Sequence, residues 1–317
     1  MTNLKVNFCG VKFSNPTVLA SGILGVTASS LRRVVEMGAG GVTTKSIWMK
    51  EHKGHKNPTM FGTEHYFMNA VGLSDAGITK AKELFAEYDK GGKGSKGGRP
   101  APLIASIVAG KIEEFGRLAV EVAGLGPDII EINISCPNVE NEFGTPFACD
   151  SVAAAKIVKI VKGALKSAGL SAAPVIVKLS PNVPSIARVA RACADAGADG
   201  FCAINTIGPG MAIDLKTRRP ILANRVGGVS GPGIKPVAVR CVNDIWKATG
   251  LPIIGTGGVL TGEDAIEMMM AGATLVGIGT MVYYRGVSGF GDVVREMEEW
   301  CEENGVKSLE EIIGCVK

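Results

Sequence analysis

The chain has 317 residues, of which 46% are hydrophobic and 20% charged, and this composition is ordinary for a globular protein with a large buried core. Its formal net charge of +4, without a Lys/Arg block or interleaved aromatic residues, argues against nucleic acid as a ligand. No apolar run approaches the roughly 20 residues of a membrane-spanning helix, so we expect no membrane partner. The eight cysteines form no Cys-x-x-Cys pair or metal-ligand spacing, and no signal-peptide pattern is present. We therefore expect a reduced, cytoplasmic protein without a metal site.

The order of apolar runs along the chain predicts the fold. Residues 4–13 alternate in polarity around Cys9 and Gly10, which predicts a short N-terminal β-ribbon. Runs of strand length then follow at residues 17–21, 41–46, 103–108, 129–135, 174–180, 200–206, 252–258 and 275–281. Helix-period segments separate them, so we predict an α/β fold, a (β/α)8 TIM barrel, with residues 1–317 as a single domain. A doubly wound sheet is the alternative, but no glycine fingerprint follows the first strand.

Two of the intervening segments, residues 112–122 and 151–168, have clear helical periodicity. Their apolar stripes consist of Ile112, Phe115, Leu118, Ala119 and Val122 in the first, and of Val152, Ile157, Ile160, Val161, Ala164 and Leu165 in the second. Ala-Gly-Ala at 196–198 and 271–273 predicts two helix ends, because glycine suits the left-handed position there.

Three long connections, at residues 47–76, 136–150 and 207–234, each follow the carboxyl end of a predicted strand. Barrel active sites are built on that rim, so we predict long loops that enclose a substrate or form a lid. The first connection contains His52, His55 and His65 without an acid or Cys at a useful metal-ligand spacing. We expect these histidines to lie on the protein surface.

The fourth predicted strand ends in residues 133–138, Asn-Ile-Ser-Cys-Pro-Asn. Side chains two apart share one face of a strand, so Glu131, Asn133 and Ser135 point the same way. Pro137 stops the strand and fixes the exit of the chain into the next loop. The residues alone leave open whether Cys136 is an inert buried thiol or a reactive group.

Other strands offer polar side chains to the same rim, where a barrel lumen is usually filled by branched apolar residues. They are Ser21, Thr43, Lys45, Lys178, Ser180 and Asn205. Because a buried charge is costly unless it is paired, we predict that Glu131 pairs with Lys178. Glycine-rich turns at 255–258 and 277–280 end the last two strands, where barrels often bind phosphate through backbone N–H groups. The sequence thus indicates a phosphate-bearing ligand, with lysines, amides and a Cys around it.

Over nearly its whole length the chain resembles the catalytic subunit of a class 1 dihydroorotate dehydrogenase. The motifs that carry the resemblance lie at 20–22, 44–46, 69–73, 133–138, 177–182, 204–206, 214–218, 227–232, 257–258 and 279–280. The segment 214–232 most resembles the NAD-linked, two-subunit form (class 1B). Such an enzyme is a flavoprotein oxidoreductase that oxidises (S)-dihydroorotate to orotate in pyrimidine biosynthesis.

The resemblance implies one FMN per chain in the barrel mouth, contacted by Ser21, Lys45, Ser46, Asn133, Lys178, Ile204, Gly231, Gly257, Gly258, Gly279 and Thr280. It implies that the substrate is held by Lys45, Asn69, Ala70, Val71, Gly72, Leu73, Asn133, Asn205 and Thr206. Cys136 would be the catalytic base, taking a proton while hydride passes to flavin N5. Lys45 and Lys178 would be the catalytic lysines, with Lys178 opposite the negative charge of reduced flavin.

Three departures from the family pattern affect the predicted site. Asp75-Ala76 stands where Asn-Pro is usual, and Ser106 replaces an Asn that commonly contacts the flavin. The stretch 144–150 also differs and adds a second thiol, Cys149, which we expect to be a spectator.

Reduced FMN must be reoxidised, yet the chain has no dinucleotide fingerprint and no cluster-type Cys spacing. We expect a partner subunit that carries FAD and a [2Fe–2S] cluster and passes electrons to NAD, in a heterotetramer built on a homodimer of this chain. The alternatives are a dihydropyrimidine dehydrogenase-type FMN subunit acting on uracil or thymine, and a fumarate-linked class 1A enzyme. A flavin-free barrel lyase or isomerase, or a non-catalytic barrel subunit, would belong to different classes.

Overall fold

A computed structural model describes residues 2–90, 98–135 and 147–316. Before the main fold, β1 (Val6–Phe8) and β2 (Val11–Phe13) pair antiparallel. Cys9 and Gly10 both have positive φ, 51° and 86°, as a type I′ hairpin turn requires. The Cys9 thiol donates to the Asp199 carbonyl at 3.3 Å, and the Phe13 ring packs on Gly41. The predicted ribbon is therefore confirmed, and it lies under the amino-terminal ends of the barrel strands.

The barrel strands alternate with helices along the chain, and further strands are inserted after the second and the sixth of them. In order they are β3 (Thr17–Leu19), β4 (Gly41–Thr43), β5 (Met60–Gly62), β6 (Phe67–Asn69), β7 (Leu103–Ile107), β8 (Ile129–Asn133), β9 (Val175–Lys178), β10 (Gly200–Ala203), β11 (Ile207–Gly210), β12 (Ile213–Asp214), β13 (Arg219–Pro220), β14 (Gly227–Ser230), β15 (Ile253–Thr256) and β16 (Leu275–Ile278). A closed parallel barrel is formed by β3, β4, β7, β8, β9, β10, β15 and β16 in that order. Each barrel strand lies within one of the eight predicted runs, so the predicted (β/α)8 barrel is confirmed.

Helices cover the outside of the barrel. They are α1 (Ala28–Glu36), α2 (Ile78–Asp89), α3 (Ile112–Ala123), α4 (Ser151–Ser167), α5 (Ile186–Asp195), α6 (Lys235–Thr249), α7 (Gly262–Met270), α8 (Met281–Arg285) and α9 (Gly289–Glu303). Gly197 and Gly272 follow α5 and α7 with φ of 100° and 122°, which confirms the predicted left-handed helix ends. Within the described ranges, no helix has the length and apolar character needed to cross a membrane.

The packing of α3 on α4 confirms one predicted stripe and corrects the other. Along α3 the stripe is buried from Phe115 to Val122, and Gly116 lets the two helices approach at Ile160. In α4, however, Val152 is 75% exposed. Val152 precedes the buried Ile157 by five residues, and at 3.6 residues per turn this places it about 140° around the helix. The predicted inclusion of Val152 in the stripe was therefore wrong.

The connections 47–76 and 207–234 are more ordered than the predicted loops. They supply a four-stranded antiparallel sheet in the order β11-β14-β6-β5 on the carboxyl side of the barrel. Asn69 of β6 pairs with Gly228 of β14, so segments remote in sequence are joined there. Met68, Ala70 and Leu222 form a small core of this rim sheet. The description of these connections as long loops was incomplete, because strands this short and rich in Gly and Met show little β signal.

Candidate active site

A cavity of about 380 Å³ opens at the carboxyl ends of the barrel strands, the usual position of a barrel active site. Its walls include every described residue that was predicted to bind cofactor or substrate. These are Ser21, Lys45, Ser46, Asn69, Ala70, Val71, Gly72, Leu73, Asn133, Lys178, Ile204, Asn205, Thr206, Gly231, Gly257, Gly258, Gly279 and Thr280. Cys136 and Pro137 lie outside the described residues. The structure brings the predicted residues together, while their individual roles stay predictions.

A chain of hydroxyl and amide groups runs across the cavity floor. Asn133 Nδ2 donates to Ser46 Oγ at 2.9 Å, and Ser46 Oγ lies 3.0 Å from Ser106 Oγ. On the other side, Ser135 Oγ donates to Asn133 Oδ1 and Asn205 Nδ2 donates to Ser135 Oγ, both at 2.8 Å. Ser106 thus joins the network instead of leaving a gap where the family commonly has Asn. Since each group holds the next, the orientation of Asn133 is fixed before any ligand binds.

Two charged side chains lie in the barrel lumen near this floor. Glu131 lies below the floor, and Lys178 lies beside it. Lys178 is 6% exposed and lines the cavity, and its register partner on β8 is Asn133. Glu131 is 1% exposed and lies opposite Ile176, one layer lower. The Oε1 atom of Glu131 has no hydrogen-bond partner among the described residues. The predicted Glu131–Lys178 ion pair is not formed in the part of the chain that the structure describes, because the register separates the two side chains by one layer.

Lys45 lines the cavity next to a carboxylate that the family pattern lacks. Burial lowers the pKa of the Lys45 ammonium group, and the negative charge of Asp75 opposes that effect. Asp75 Oδ1 accepts hydrogen bonds from the Trp48 N–H at 3.1 Å and the Gly77 N–H at 2.8 Å. An Asn could accept the same two bonds through its own Oδ1. What Asp75 adds to the site is therefore its charge.

The predicted substrate segment, residues 69–73, is held from outside by aromatic side chains. His55 Nδ1 donates to the Ala70 carbonyl at 3.0 Å, and Trp48 Nε1 donates to the Leu73 carbonyl at 3.1 Å. Gly72 has φ of 70°, and a Cβ there would lie 2.7 Å from the His55 ring. We call residues 69–73 the substrate loop.

The expectation that the histidines lie on the surface holds for two of the three. His52 and His65 are exposed, whereas His55 is half-buried and lines the cavity. His55 was missed because its contacts, with Ala70 and Val71, lie some 15 residues along the chain, and no local pattern marks them. In the described ranges, no group of three or more His, Cys, Asp or Glu could hold a metal ion.

The opposite wall of the cavity is bare backbone. Gly231, Gly257 and Gly258 have φ of 87°, 135° and 79°, in the region that favours glycine. A Cβ at Gly258 would lie 2.6 Å from the Cβ of Lys235, and one at Gly257 would lie 2.8 Å from the Cβ of Ala238. We call Gly231, Gly257, Gly258, Gly279 and Thr280 the glycine rim. Backbone without side chains permits the close approach that a phosphate needs, so the residues present fit the phosphate end of FMN.

The described structure resumes at Phe147, after the predicted lid. Phe147 is buried against Phe115, and the Ala148 N–H donates to the Ile134 carbonyl at 3.1 Å. Residues 135 and 147, at the two ends of the intervening segment, therefore lie close together at the rim. Cys149 donates to the Asn182 carbonyl at 3.5 Å, and burial raises the pKa of its thiol. A protonated thiol is a poor nucleophile, which agrees with the expected spectator role.

Comparison with known proteins identifies the family. The family model described as dihydroorotate dehydrogenase matches residues 3–301. A protein of Methanocaldococcus jannaschii is 43% identical over 311 residues, which cover 98% of this chain and 97% of the relative. Relatives from Pyrococcus abyssi, 42% identical over 313 residues, and Geobacter sp. strain M21, 39% identical over 316, cover 98% and 99% of this chain and 98% of their own lengths. All three bear the name dihydroorotate dehydrogenase B (NAD(+)), catalytic subunit. The chain belongs to the dihydroorotate dehydrogenase family.

Proposed function

We propose that this chain is the FMN-binding catalytic subunit of a dihydroorotate dehydrogenase that oxidises (S)-dihydroorotate to orotate in pyrimidine biosynthesis. One observation carries the proposal: a single cavity joins a glycine rim to a floor of amides, hydroxyls and two lysines. The names of the relatives support the same activity. Residues 1–317 would act as one FMN-binding domain, which agrees with a single main core that extends from Leu4 to Ile312.

The cofactor would be held from two sides. The glycine rim would take the FMN phosphate through backbone N–H groups and the Thr280 hydroxyl. Ser21, Lys45, Ser46, Asn133, Lys178 and Ile204 would contact the remainder. When bound, FMN supplies the two-electron acceptor for the oxidation. Lys178 would supply a fixed positive charge where negative charge develops during that oxidation.

The substrate would bind between the substrate loop and the polar floor. Dihydroorotate has a carboxylate and a ring edge of alternating N–H and C=O groups. Asn69, Asn133 and Asn205 each offer both a donor and an acceptor to such an edge. Lys45 would neutralise negative charge on the substrate, and Thr206 would complete the contact set. Because the Asn133 and Asn205 amides are already oriented by Ser135, little ordering remains to be done on binding.

Cys136 would take the proton from the ring carbon of dihydroorotate. It directly follows Ser135, whose hydroxyl contacts both Asn133 and Asn205. The hydrogen bond from Ala148 to Ile134 closes the base of the segment that carries Cys136. These contacts place the two ends of the segment 136–146 at the rim, beside a fixed floor, which supports the assignment of Cys136 as the base.

The electrons would leave through a second subunit that carries FAD and a [2Fe–2S] cluster and reduces NAD. The name of the relatives, a catalytic subunit linked to NAD(+), supports this arrangement. A homodimer of this chain would form the centre of the heterotetramer. The seven cysteines that the structure describes are free thiols, which supports a reduced, cytoplasmic setting.

Anaerobic mixing of the FMN-loaded chain with dihydroorotate tests the proposal. We expect rapid bleaching of the flavin absorbance, with Cys136→Ser binding orotate normally but reducing its flavin by orders of magnitude more slowly near neutral pH. A colourless chain that cannot be reconstituted with FMN would refute the proposal.

The same experiment separates the alternatives. Bleaching by dihydrouracil or dihydrothymine, without bleaching by dihydroorotate, would indicate the dihydropyrimidine class. Rapid reoxidation of the isolated chain by fumarate would indicate the fumarate-linked form. Reoxidation by NAD only after the partner subunit is added would support the two-subunit enzyme.

A further inference from the structure

We propose that Glu131 is a positioning residue that acts through Lys178 and thereby lowers the reduction potential of the bound flavin. This inference rests on the proposed function, because it presupposes that FMN occupies the cavity. It assigns a task to a buried acid that neither the cofactor contacts nor the substrate contacts use.

Charge and burial together set Glu131 apart. In the described part of the chain, Glu131 is the one buried acid and Lys178 the one buried base. Both lie in the barrel lumen, on neighbouring strands β8 and β9. Removing a carboxylate from water is costly, and the cost is greater for an oxygen such as Glu131 Oε1, which has no hydrogen-bond partner among the residues that the structure describes. A residue that only filled the lumen would not need a charge, since branched apolar side chains normally do so.

The register places Glu131 one layer below the cavity floor. Asn133, two residues later on the same face of β8, lies opposite Lys178. Cys202 of β10 lies opposite Lys178 on the other side. Burial is the main cause that raises the pKa of the Cys202 thiol; the charge of Glu131 and a hydrogen bond with its side chain raise the pKa further, and the charge of Lys178 lowers it. Glu131, Cys202 and Lys178 therefore share one buried region of the lumen.

The two charges do not form an ion pair, so Glu131 does not neutralise Lys178 by contact. Instead, the carboxylate attracts the ammonium group towards the lumen and away from the cavity. Such an attraction acts at longer range between buried groups than in water, because solvent and salt screen buried charges less. Reduced flavin carries more negative charge than oxidised flavin, and Lys178 stabilises that charge. Glu131 thus restrains the group that favours reduction.

The reduction potential of the bound FMN tests this assignment, measured by equilibration with reference dyes. In Glu131→Gln the potential should become more positive, because Lys178 is no longer drawn inwards. In Lys178→Gln it should become more negative. In the double variant the effect of Glu131→Gln should be smaller than in the wild-type background, because a residue that acts through Lys178 loses its route when Lys178 is gone.

Two further variants separate charge from packing. Glu131→Asp retains the carboxylate and should keep the potential closer to the wild-type value than Glu131→Gln does. Glu131→Met removes the charge without leaving a polar group in the lumen, and should shift the potential in the same direction as Glu131→Gln. It also provides the measurement if the Gln variant does not fold, since apolar replacement of buried charges is often tolerated.

The outcomes are distinct. An unchanged potential in Glu131→Gln and Glu131→Met would overturn the proposal. So would an equal shift in the Asp and Gln variants, or an equal effect of Glu131→Gln with and without Lys178. If the wild-type chain failed to bind FMN, the proposed function would fail instead, and this would be seen before any variant was measured.

Discussion

The two walls of the cavity are built in different ways. The glycine rim gets its shape from backbone conformations that other residues rarely adopt, at Gly231, Gly257 and Gly258. The substrate loop gets its shape from side chains that lie elsewhere in the sequence, through the bonds of His55 and Trp48 to its carbonyls. The glycine rim is therefore specified by its own residues, whereas the substrate loop is specified by residues elsewhere in the sequence. This difference predicts that mutations on the two walls should affect different ligands.

The largest effect is expected from Gly258→Ala. The new Cβ would meet Lys235 at 2.6 Å in a backbone with φ of 79°. We expect the FMN dissociation constant, measured by fluorescence titration, to rise by about 100-fold, because strain of about 1–3 kcal/mol can be relieved only by moving the rim. Gly250→Ala is the matched control, since Gly250 has φ of 65° with open space around it. Equal loss of FMN affinity in both variants would contradict a local role of the rim.

A smaller and opposite pattern is expected from His55→Ala. The Ala70 carbonyl would lose its hydrogen bond and the substrate loop its support. We expect orotate to bind roughly tenfold more weakly, the equivalent of about 1.4 kcal/mol, while FMN affinity stays unchanged. His65→Ala, at an exposed position, should alter neither constant. A loss of FMN affinity in His55→Ala would erase the distinction between the two walls.

Asp75→Asn should change the pH dependence of orotate binding more than its strength at neutral pH. The Asn keeps the acceptor for Trp48 and Gly77 but removes the charge that raises the pKa of Lys45. The Lys45 cation is present below its pKa and is lost as the pH rises through it. A lower pKa therefore moves the alkaline loss of orotate affinity to lower pH.

Titration of the orotate dissociation constant between about pH 6 and 10 measures this shift, since an ordinary lysine titrates near the upper limit. The reduction potential of the bound flavin should not change in Asp75→Asn. An unchanged alkaline limb would mean that Asp75 only holds the backbone of the segment before α2.

The smallest effect is expected from Cys149→Ser. Burial raises the pKa of this thiol, so at neutral pH it is protonated and chemically quiet. We expect the rate of flavin reduction to stay within about twofold of wild type, as for most substitutions away from a site. A large loss of activity would show that the second thiol takes part in the chemistry.

What could be predicted from the sequence follows the same division. The barrel strands and the glycine rim were predictable because their signals are local: β-branched runs, and glycines at strand ends. The rim sheet was missed because its pairing joins residues as far apart as Asn69 and Gly228. His55 was missed for the same reason.

The pairing of the two buried charges was harder to predict than their position in the barrel lumen. The sequence placed Glu131 and Lys178 in the lumen correctly, but periodicity along one strand does not give the register between strands. That register puts Ile176, not Lys178, opposite Glu131. Buried opposite charges on neighbouring strands therefore need not touch, and the flavin reduction potential tests whether these two still interact.

The pairing of β6 with β14 has a consequence for how this enzyme could change its substrate. Asn69 begins the substrate loop and pairs with Gly228, while Ser230, next to Gly231, donates through its hydroxyl to the Phe67 carbonyl at 3.2 Å. The substrate loop and Gly231 of the glycine rim are thus joined through one antiparallel strand pair. An insertion after β6 that widened the site would therefore also displace Gly231. New specificity is therefore expected to arise by substitution of side chains while the backbone stays unchanged. Insertions are expected instead in the turn of the β12–β13 hairpin.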